Sequence, residues 1–177
     1  FTQIDVEMSF VDSDDVIGVH EKLIAGIWKD ILGVDVPTPI RRMDYKEAVD
    51  DYGIDRPDLR FGMRLCDISD IAKPRTFRVF TSVVEKGGVV KGLCVPGGSS
   101  RYSRSDIEKT LTDFAADYGA KGLVWLKVKS ENGKLTLTSN IAKFFSDSQQ
   151  QQIIEKFGAA DDGLILLIAD SEKAANK

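Results

Sequence analysis

The sequence predicts an α+β protein in which an antiparallel sheet carries helices on one face, preceded by a shorter segment of different character. Residues 68–177 alternate β-branched stretches, paired across turn residues, with two helical patterns. The stretch 161–170 is apolar enough for a fully buried strand. Residues 1–67 hold one strand pattern, one long helix and a loop, which cannot close a core. We therefore expect two units, residues 1–67 and residues 68–177.

The charge of the chain divides at the same point. Residues 1–67 contain 8 Lys and Arg against 15 Asp and Glu, a net charge of −7. The remainder, 68–177, contains 16 against 13, a net charge of +3. Such a difference is typical of two units with different surroundings. A net charge of +3 is too small to indicate a nucleic-acid surface, so we expect no DNA partner.

The first ten residues, FTQIDVEMSF, alternate apolar and polar side chains with the period of a β-strand. On the polar face, Gln3, Asp5 and Glu7 follow one another at intervals of about 7 Å, twice the rise per residue of a strand. This face is either the solvent side of an edge strand or the wall of a site for an ammonium, a guanidinium or a metal-bound phosphate. The residue types do not decide between these interpretations.

A long amphipathic helix follows, capped by Ser13 or a neighbouring aspartate and ended by Gly33. A short helix is predicted from Asp44, with Glu47 completing a capping box, up to Gly53. The next segment, IDRPDLRF, contains alternating charges, among them Asp55 and Arg60. It is either a solvated loop or the wall of a site.

From residue 68 the predicted elements are a hairpin over 75–97, a helix over 103–119, a strand pair over 120–139, a helix over 141–158 and the final strand. Ser105 and Glu108 are expected to form a capping box at the first of these helices. The helix over 141–158 is expected to break near 146–148. The glycine- and serine-rich stretch before residue 105 is either a turn with a helix cap or an anion cradle.

Several functional classes are disfavoured. No apolar run reaches the roughly 18 residues of a membrane span. Cys66, Cys94 and His20 are the only cysteines and histidine, and they lack the spacing of a metal site, so we expect no protein-bound metal. Two unpatterned cysteines and the absence of a signal-peptide pattern favour the cytoplasm. His20 is interpreted as a partly buried helix residue.

The motifs FTQIDVEMSFVD and MDYKEAVDDYGIDRPDLRFGM, in this order, resemble the bacterial type of aspartyl-tRNA synthetase, a class II aminoacyl-tRNA synthetase. Residues 69–177, with KPRTFRVF, KGLCVPGG, SRSDIEK and AKGLVWLKV, resemble the domain inserted in that family. This domain is called GAD and is shared with an archaeal tRNA-dependent amidotransferase subunit.

The resemblance implies a fragment of an aspartate–tRNA ligase, with part of the catalytic domain in residues 1–67 and the GAD domain in 68–177. The full enzyme would use ATP and magnesium, act on L-aspartate and tRNA, form a homodimer and be cytoplasmic. The family's ATP-binding arginines would lie outside these residues, so the fragment alone is expected to be inactive and to bind no cofactor. It would contain no catalytic residue.

Five substrate-binding residues follow from the resemblance: Gln3, Asp5, Glu7, Asp55 and Arg60. The first three match the strand that floors the pocket for aspartate and its adenylate, and the last two match a stretch near the rim. Ile54 and Arg56 depart from the family's usual Ser and Lys, which weakens the assignment of contacts in that loop. An alternative is a stand-alone GAD-type binding module that contacts tRNA or a protein, as in the amidotransferase.

Overall fold

The computed structural model describes residues 1–72 and 77–177, which form two compact units, Phe1–Met43 and Asp44–Lys177. The predicted boundary at 67/68 lies further along the chain than the division between these units. The difference arises because the segment 44–67 contributes a helix and a short strand to the second unit. The assignment of 1–67 and 68–177 to two evolutionary domains stays a prediction.

The first unit consists of an irregular segment and one long helix. The strand predicted over residues 1–10 is wrong, since these ten residues are all exposed and none is in a strand. A strand needs a hydrogen-bonding neighbour, and no other described segment of this unit is extended into one. The predicted helix is confirmed as α1, Ser13–Leu32.

Both ends of α1 follow the sequence signals. The Asp12 carboxylate accepts hydrogen bonds from the backbone N–H groups of Asp14 and Asp15, and Gly33 ends the helix in the left-handed conformation. His20 Nδ1 lies 2.8 Å from the carbonyl oxygen of Val16, and the ring is partly buried, as expected. No residue of α1 is buried, so its apolar stripe remains exposed.

The second unit is built on a five-stranded sheet in which every neighbouring pair is antiparallel, in the order β1-β2-β5-β3-β4. This confirms the predicted fold class. The strands are β1 (Cys66–Asp67), β2 (Val89–Val95), β3 (Val124–Glu131), β4 (Lys134–Thr138) and β5 (Leu164–Asp170). The α-helices are α2 (Tyr45–Tyr52), α3 (Ser69–Ala72), α4 (Arg78–Glu85), α5 (Gly98–Arg101), α6 (Thr112–Asp117), α7 (Asp147–Lys156) and α8 (Glu172–Ala175).

The core lies against one face of this sheet. Along β5 the residues Ile165 and Leu167 point to that face, and their partners across the ladders include Leu126 and Gly92. Helices α3, α4 and α7 and the 3₁₀ turn Ala142–Phe144 supply the opposing side chains. Gly92 permits close approach here, because a Cβ atom on it would lie 1.9 Å from the carbonyl oxygen of Leu166.

The hairpin predicted over 75–97 is wrong in its first half. Residues 78–85 form α4, and only the second half is a strand, β2. Both edges of β2 are already hydrogen-bonded, to β1 and β5, so no edge remains for another strand. Residues 75 and 76, with which the predicted hairpin begins, lie outside the described part of the chain.

The helix predicted over 103–119 exists but differs in detail. Its first part is a π-helix, Asp106–Leu111, which continues into α6. The capping box predicted for Ser105 and Glu108 is wrong: Ser103 and Asp106 exchange the capping hydrogen bonds, and Glu108 pairs with Arg104. The predicted side-chain cap of α2 is also absent, because Asp44 makes no such hydrogen bond.

The remaining elements predicted for the second unit are confirmed. β3 and β4 form a hairpin closed by Asn132 and Gly133, both with positive φ angles. The break near 146–148 is real, since Ser146 caps α7 by accepting from Gln149 N–H. Four of the seven residues of β5 are buried and three are half-buried, so β5 is a strand of the core as predicted but is not fully buried. Across the described residues, no helix is long and apolar enough to span a membrane.

Candidate functional site

The three predicted pocket residues of the opening segment are solvent-exposed. Gln3, Asp5 and Glu7 lie in irregular chain, and each is exposed. Within 1–43 the structure therefore does not build the polar wall that the strand pattern predicts. Their role in substrate binding stays a prediction.

Asp55 lies in the loop that follows α2, and Arg60 lies within the 3₁₀ turn Leu59–Phe61 of the second unit. The Arg60 Nε donates to both Asp58 carboxylate oxygens, at 2.8 and 3.0 Å, and Arg60 Nη2 bonds the same group. The Asp58 carboxylate also accepts from the Arg60 backbone N–H at 3.0 Å. These bonds lower the pKa of Asp58 to about 2 and raise the pKa of Arg60.

The exposed guanidinium of Arg60 is thus held by a carboxylate two residues away. Asp55 is exposed, and among the described residues no hydrogen bond joins it to Arg60. The loop presents charge to solvent, as one of the two interpretations of its sequence expects. Whether it also contacts substrate stays a prediction.

A cleft of about 570 Å³ lies at the carboxyl end of α7 and next to β1. Its two cations are already paired, Arg64 with Asp51 at 3.0 Å and Lys156 with Asp70 at 2.8 Å. Cys66 and Cys94 line the same cleft, and burial raises the pKa of both thiols. Protonated thiols are poor nucleophiles, so the cleft offers structural thiols rather than a reactive centre.

The glycine- and serine-rich stretch is a structural turn. Ser99 N–H donates to the carbonyl oxygen of Asp162 at 2.9 Å, and Ser99 Oγ donates to that of Gly163 at 3.0 Å. Lys127 Nζ donates to the carbonyl oxygens of Ser99 and Tyr102, at 2.6 and 2.8 Å. With these groups used internally, the interpretation as a turn and cap is the one that fits.

A second cavity, of about 380 Å³, lies on the sheet face opposite the core, under α6. We call it the apolar groove; its walls are Leu93, Leu111, Phe114, Ala115, Tyr118, Leu123, Leu166 and Ile168, with Tyr52, Lys91 and Asn176 at one end. Sequence reasoning missed it. The one available signal was Lys91, a lysine inside the strand pattern VVKGLCV.

Metal-binding side chains do not cluster in the described residues: no group of three or more His, Cys, Asp or Glu side chains could hold an ion. The fold of the second unit is that of an antiparallel α+β domain.

Comparison with known proteins identifies this domain. The family model described as GAD domain matches residues 80–177, more than half of the chain, and the chain belongs to this family. The match begins within α4 and includes β2 to β5.

Relatives extend the similarity over the whole chain. An aspartate–tRNA ligase from Clostridium perfringens is 49% identical over 177 residues, which are 100% of this chain and 29% of the relative. An aspartate–tRNA ligase from Macrococcus caseolyticus is 47% identical over 176 residues, 99% of this chain and 29% of the relative. An aspartate–tRNA(Asp/Asn) ligase from Persephonella marina is 49% identical over 177 residues and is covered to 28%. The chain thus spans less than a third of the length of these ligases.

Proposed function

We propose that this chain functions as part of an aspartate–tRNA ligase. The full enzyme forms aspartyl-adenylate and pyrophosphate from L-aspartate and ATP, and then transfers the aspartyl group to tRNA with release of AMP. The observation that supports this is similarity over the entire chain, 49% identity over 177 residues. The similarity includes residues 1–79, which the GAD domain does not cover, so a stand-alone GAD-type module explains less of the sequence.

Within the full enzyme, residues 1–10 form a strand that is hydrogen-bonded to the edge of a neighbouring strand. Gln3, Asp5 and Glu7 then stand in a row about 7 Å apart, facing the aspartate and adenylate pocket. Asp55 and Arg60 lie near the rim of that pocket. Catalysis of this reaction rests on positioning the carboxylate and the α-phosphate and on stabilising their charge.

The 177 residues alone are inactive under this proposal. Asp5 and Glu7 are exposed, so the polar row that the proposal requires is not assembled within residues 1–43. No chemical step is assigned to the isolated chain. The homodimer, the cytoplasmic location and the use of ATP and magnesium belong to the full enzyme.

A chimera tests the proposal. Residues 1–177 replace the matching segment of the Clostridium perfringens ligase, and aspartate-dependent exchange of pyrophosphate into ATP is measured. We expect exchange from the chimera and none from the 177-residue chain. In the chimera, Asp5→Asn should lower exchange by at least about 100-fold, the scale of losing a positioning or charge-stabilising group in an active site. Asp35→Asn, a change of an exposed aspartate, is the matched control.

A soluble chimera that binds tRNA but exchanges no pyrophosphate would contradict the proposal. Equal exchange in the Asp5→Asn and Asp35→Asn chimeras would keep the ligase assignment and remove Asp5 from the pocket. Exchange by the isolated chain would show that a site forms without the rest of the enzyme. These three results are distinguished by pyrophosphate exchange together with the solubility and tRNA binding of the chimera.

A further inference from the structure

The apolar groove has the dimensions and composition of a small-molecule site. Leu93 pairs with Leu166 and Lys91 with Ile168 across the β2–β5 ladder, so these four side chains share the face opposite the core. Its volume of about 380 Å³ falls in the range of roughly 300–1,000 Å³ found for ligand sites. Such sites combine apolar walls with a few polar groups at one position.

Lys91 is one of the polar residues that line this groove, and among the described residues it forms no ion pair. Only 5% of the residue is exposed, and Nζ donates to Asn176 Oδ1 at 2.8 Å. Within the described part of the chain, no carboxylate oxygen lies within 4 Å of this ammonium. The pKa of Asp50 is lowered first by its hydrogen bond to Lys46 and also by the charge of Lys91, but Asp50 forms its ion pair with Lys46. A buried ammonium that has one neutral acceptor for its three N–H donors favours an added anion.

The contrast with Lys127 shows that this is particular to Lys91. Lys127 points to the same sheet face from β3, since it pairs with Leu164. Its Nζ is satisfied by two backbone carbonyl oxygens, at 2.6 and 2.8 Å. The two carbonyl oxygens carry no net charge, but they accept hydrogen bonds from the Lys127 ammonium and so connect Lys127 to the turn of α5. Lys91 has a single hydrogen bond among the described residues, to the Asn176 side chain that follows α8.

The opposite wall of the groove contains the π-helix. Thr112 N–H donates to the carbonyl oxygen of Ile107, five residues earlier, and the turn brings Leu111 to the groove. π-Helical turns are rare and are frequently found at functional sites. Beyond it, the rings of Phe114 and Tyr118 lie 5.1 Å apart and are 60% and 52% exposed. The wall therefore offers two aromatic rings that a ligand can cover.

We propose that the apolar groove binds a small monocarboxylate with an apolar body, an unbranched chain or an aromatic ring. The carboxylate accepts from Lys91 Nζ and from the side-chain amide of Asn176, and the body lies between Leu93 and Phe114. A small molecule fits better than a peptide, since only a slender anionic end reaches the side chain of a lysine that is 5% exposed. The site is independent of the proposed ligase activity and belongs to the second unit alone.

The probe is sodium octanoate, titrated into the 177-residue chain and followed through backbone amide signals in NMR spectra. Octanamide, equal in length but neutral, is the matched ligand control. We expect shifts at Leu93, Leu166 and Phe114 and an affinity for octanoate at least about tenfold above that for octanamide, the value of one charge-assisted hydrogen bond.

Two variants and one control locate the interaction. Lys91→Met should remove the difference between octanoate and octanamide. Ala115→Phe, which fills the groove and leaves Lys91 in place, should abolish the binding of both. Lys129→Met, on the exposed end of β3, should change neither affinity.

Equal affinities for octanoate and octanamide in the unmodified chain would overturn the proposal, as would octanoate shifts outside the groove. No shift at about 10 mM octanoate would overturn it as well. If an acidic, leucine-rich peptide then shifted the same signals, the groove would be a protein-docking surface instead. Since the ligand pair and Ala115→Phe do not depend on Lys91→Met, misfolding of that variant would leave the test decisive.

Discussion

Replacing Phe80 with alanine should cost the second unit about 3–5 kcal/mol of unfolding free energy, the range for a buried phenylalanine. Phe80 is fully buried on α4. Its ring centroid lies 5.3 Å from that of Phe77, edge-on, and 6.3 Å from that of Phe145. Alanine would leave a cavity between α4, the 3₁₀ turn after β4 and the sheet. The neighbouring Val79 is 50% exposed, so Val79→Ala should change stability by less than about 0.5 kcal/mol.

The assay is urea unfolding followed by tryptophan fluorescence. The chain has two tryptophans, and a Trp28→Phe background leaves Trp125, in β3, as the single reporter. With a slope of about 2 kcal/mol per M of urea, a loss of about 4 kcal/mol lowers the midpoint by about 2 M. Equal midpoints for Phe80→Ala and Val79→Ala would refute the reasoning, because they would show that α4 does not pack its Phe80 side into the core.

Two further changes test local geometry. Gly92→Ala should prevent cooperative folding of the second unit, since the new Cβ would lie 1.9 Å from the carbonyl oxygen of Leu166. Gly26→Ala, by contrast, meets open space on α1 and should add about 0.5–1 kcal/mol to helix stability. Circular dichroism of both variants tests these two expectations. The Asp58 carboxyl should titrate near pH 2 in carbon NMR and move toward its ordinary 3.8 in Arg60→Gln. Because the pKa of Asp58 is lowered in the folded state, the Asp58–Arg60 pair stabilises the fold above pH 3.8, and this stabilisation is lost as the pH falls toward 2. A titration midpoint of 3.8 for Asp58 in the unmodified chain would contradict this prediction.

Much of the second unit was predictable from sequence, because its signals are local. Gly53 ends a helix, Asn132 and Gly133 close a hairpin, and the apolar run of β5 predicts burial. Each of these depends on backbone conformation or hydrophobicity within a few residues. These local predictions hold in the structure because the tertiary contacts favour the same conformations.

The segment RVFTSVV shows where local reasoning fails. Its β-branched residues favour a strand, but β propensity measures the fit to neighbouring strands rather than an intrinsic preference of the backbone. β1 and β5 occupy both edges of β2, and a helix is the conformation that brings Phe80 and Val84 to the core side by side. No window of the sequence reports which edges are taken. The apolar groove was missed for the same reason, since its walls come from separate segments.

The strand prediction for the opening segment fails for a different reason. Its alternating pattern is clear, but the described residues of the first unit include no neighbouring strand. Alternation places Gln3, Asp5 and Glu7 in one row only if the backbone is held extended by a neighbouring strand. The first unit supplies a helix with an exposed apolar stripe and no such strand. The polar row therefore depends on contacts that residues 1–43 do not contain, and the same side chains should be unordered in the isolated chain and aligned in the chimera. A substitution at Asp5 should accordingly be silent for the stability of the 177-residue chain and severe for pyrophosphate exchange, a combination that a residue of a stable surface would not produce.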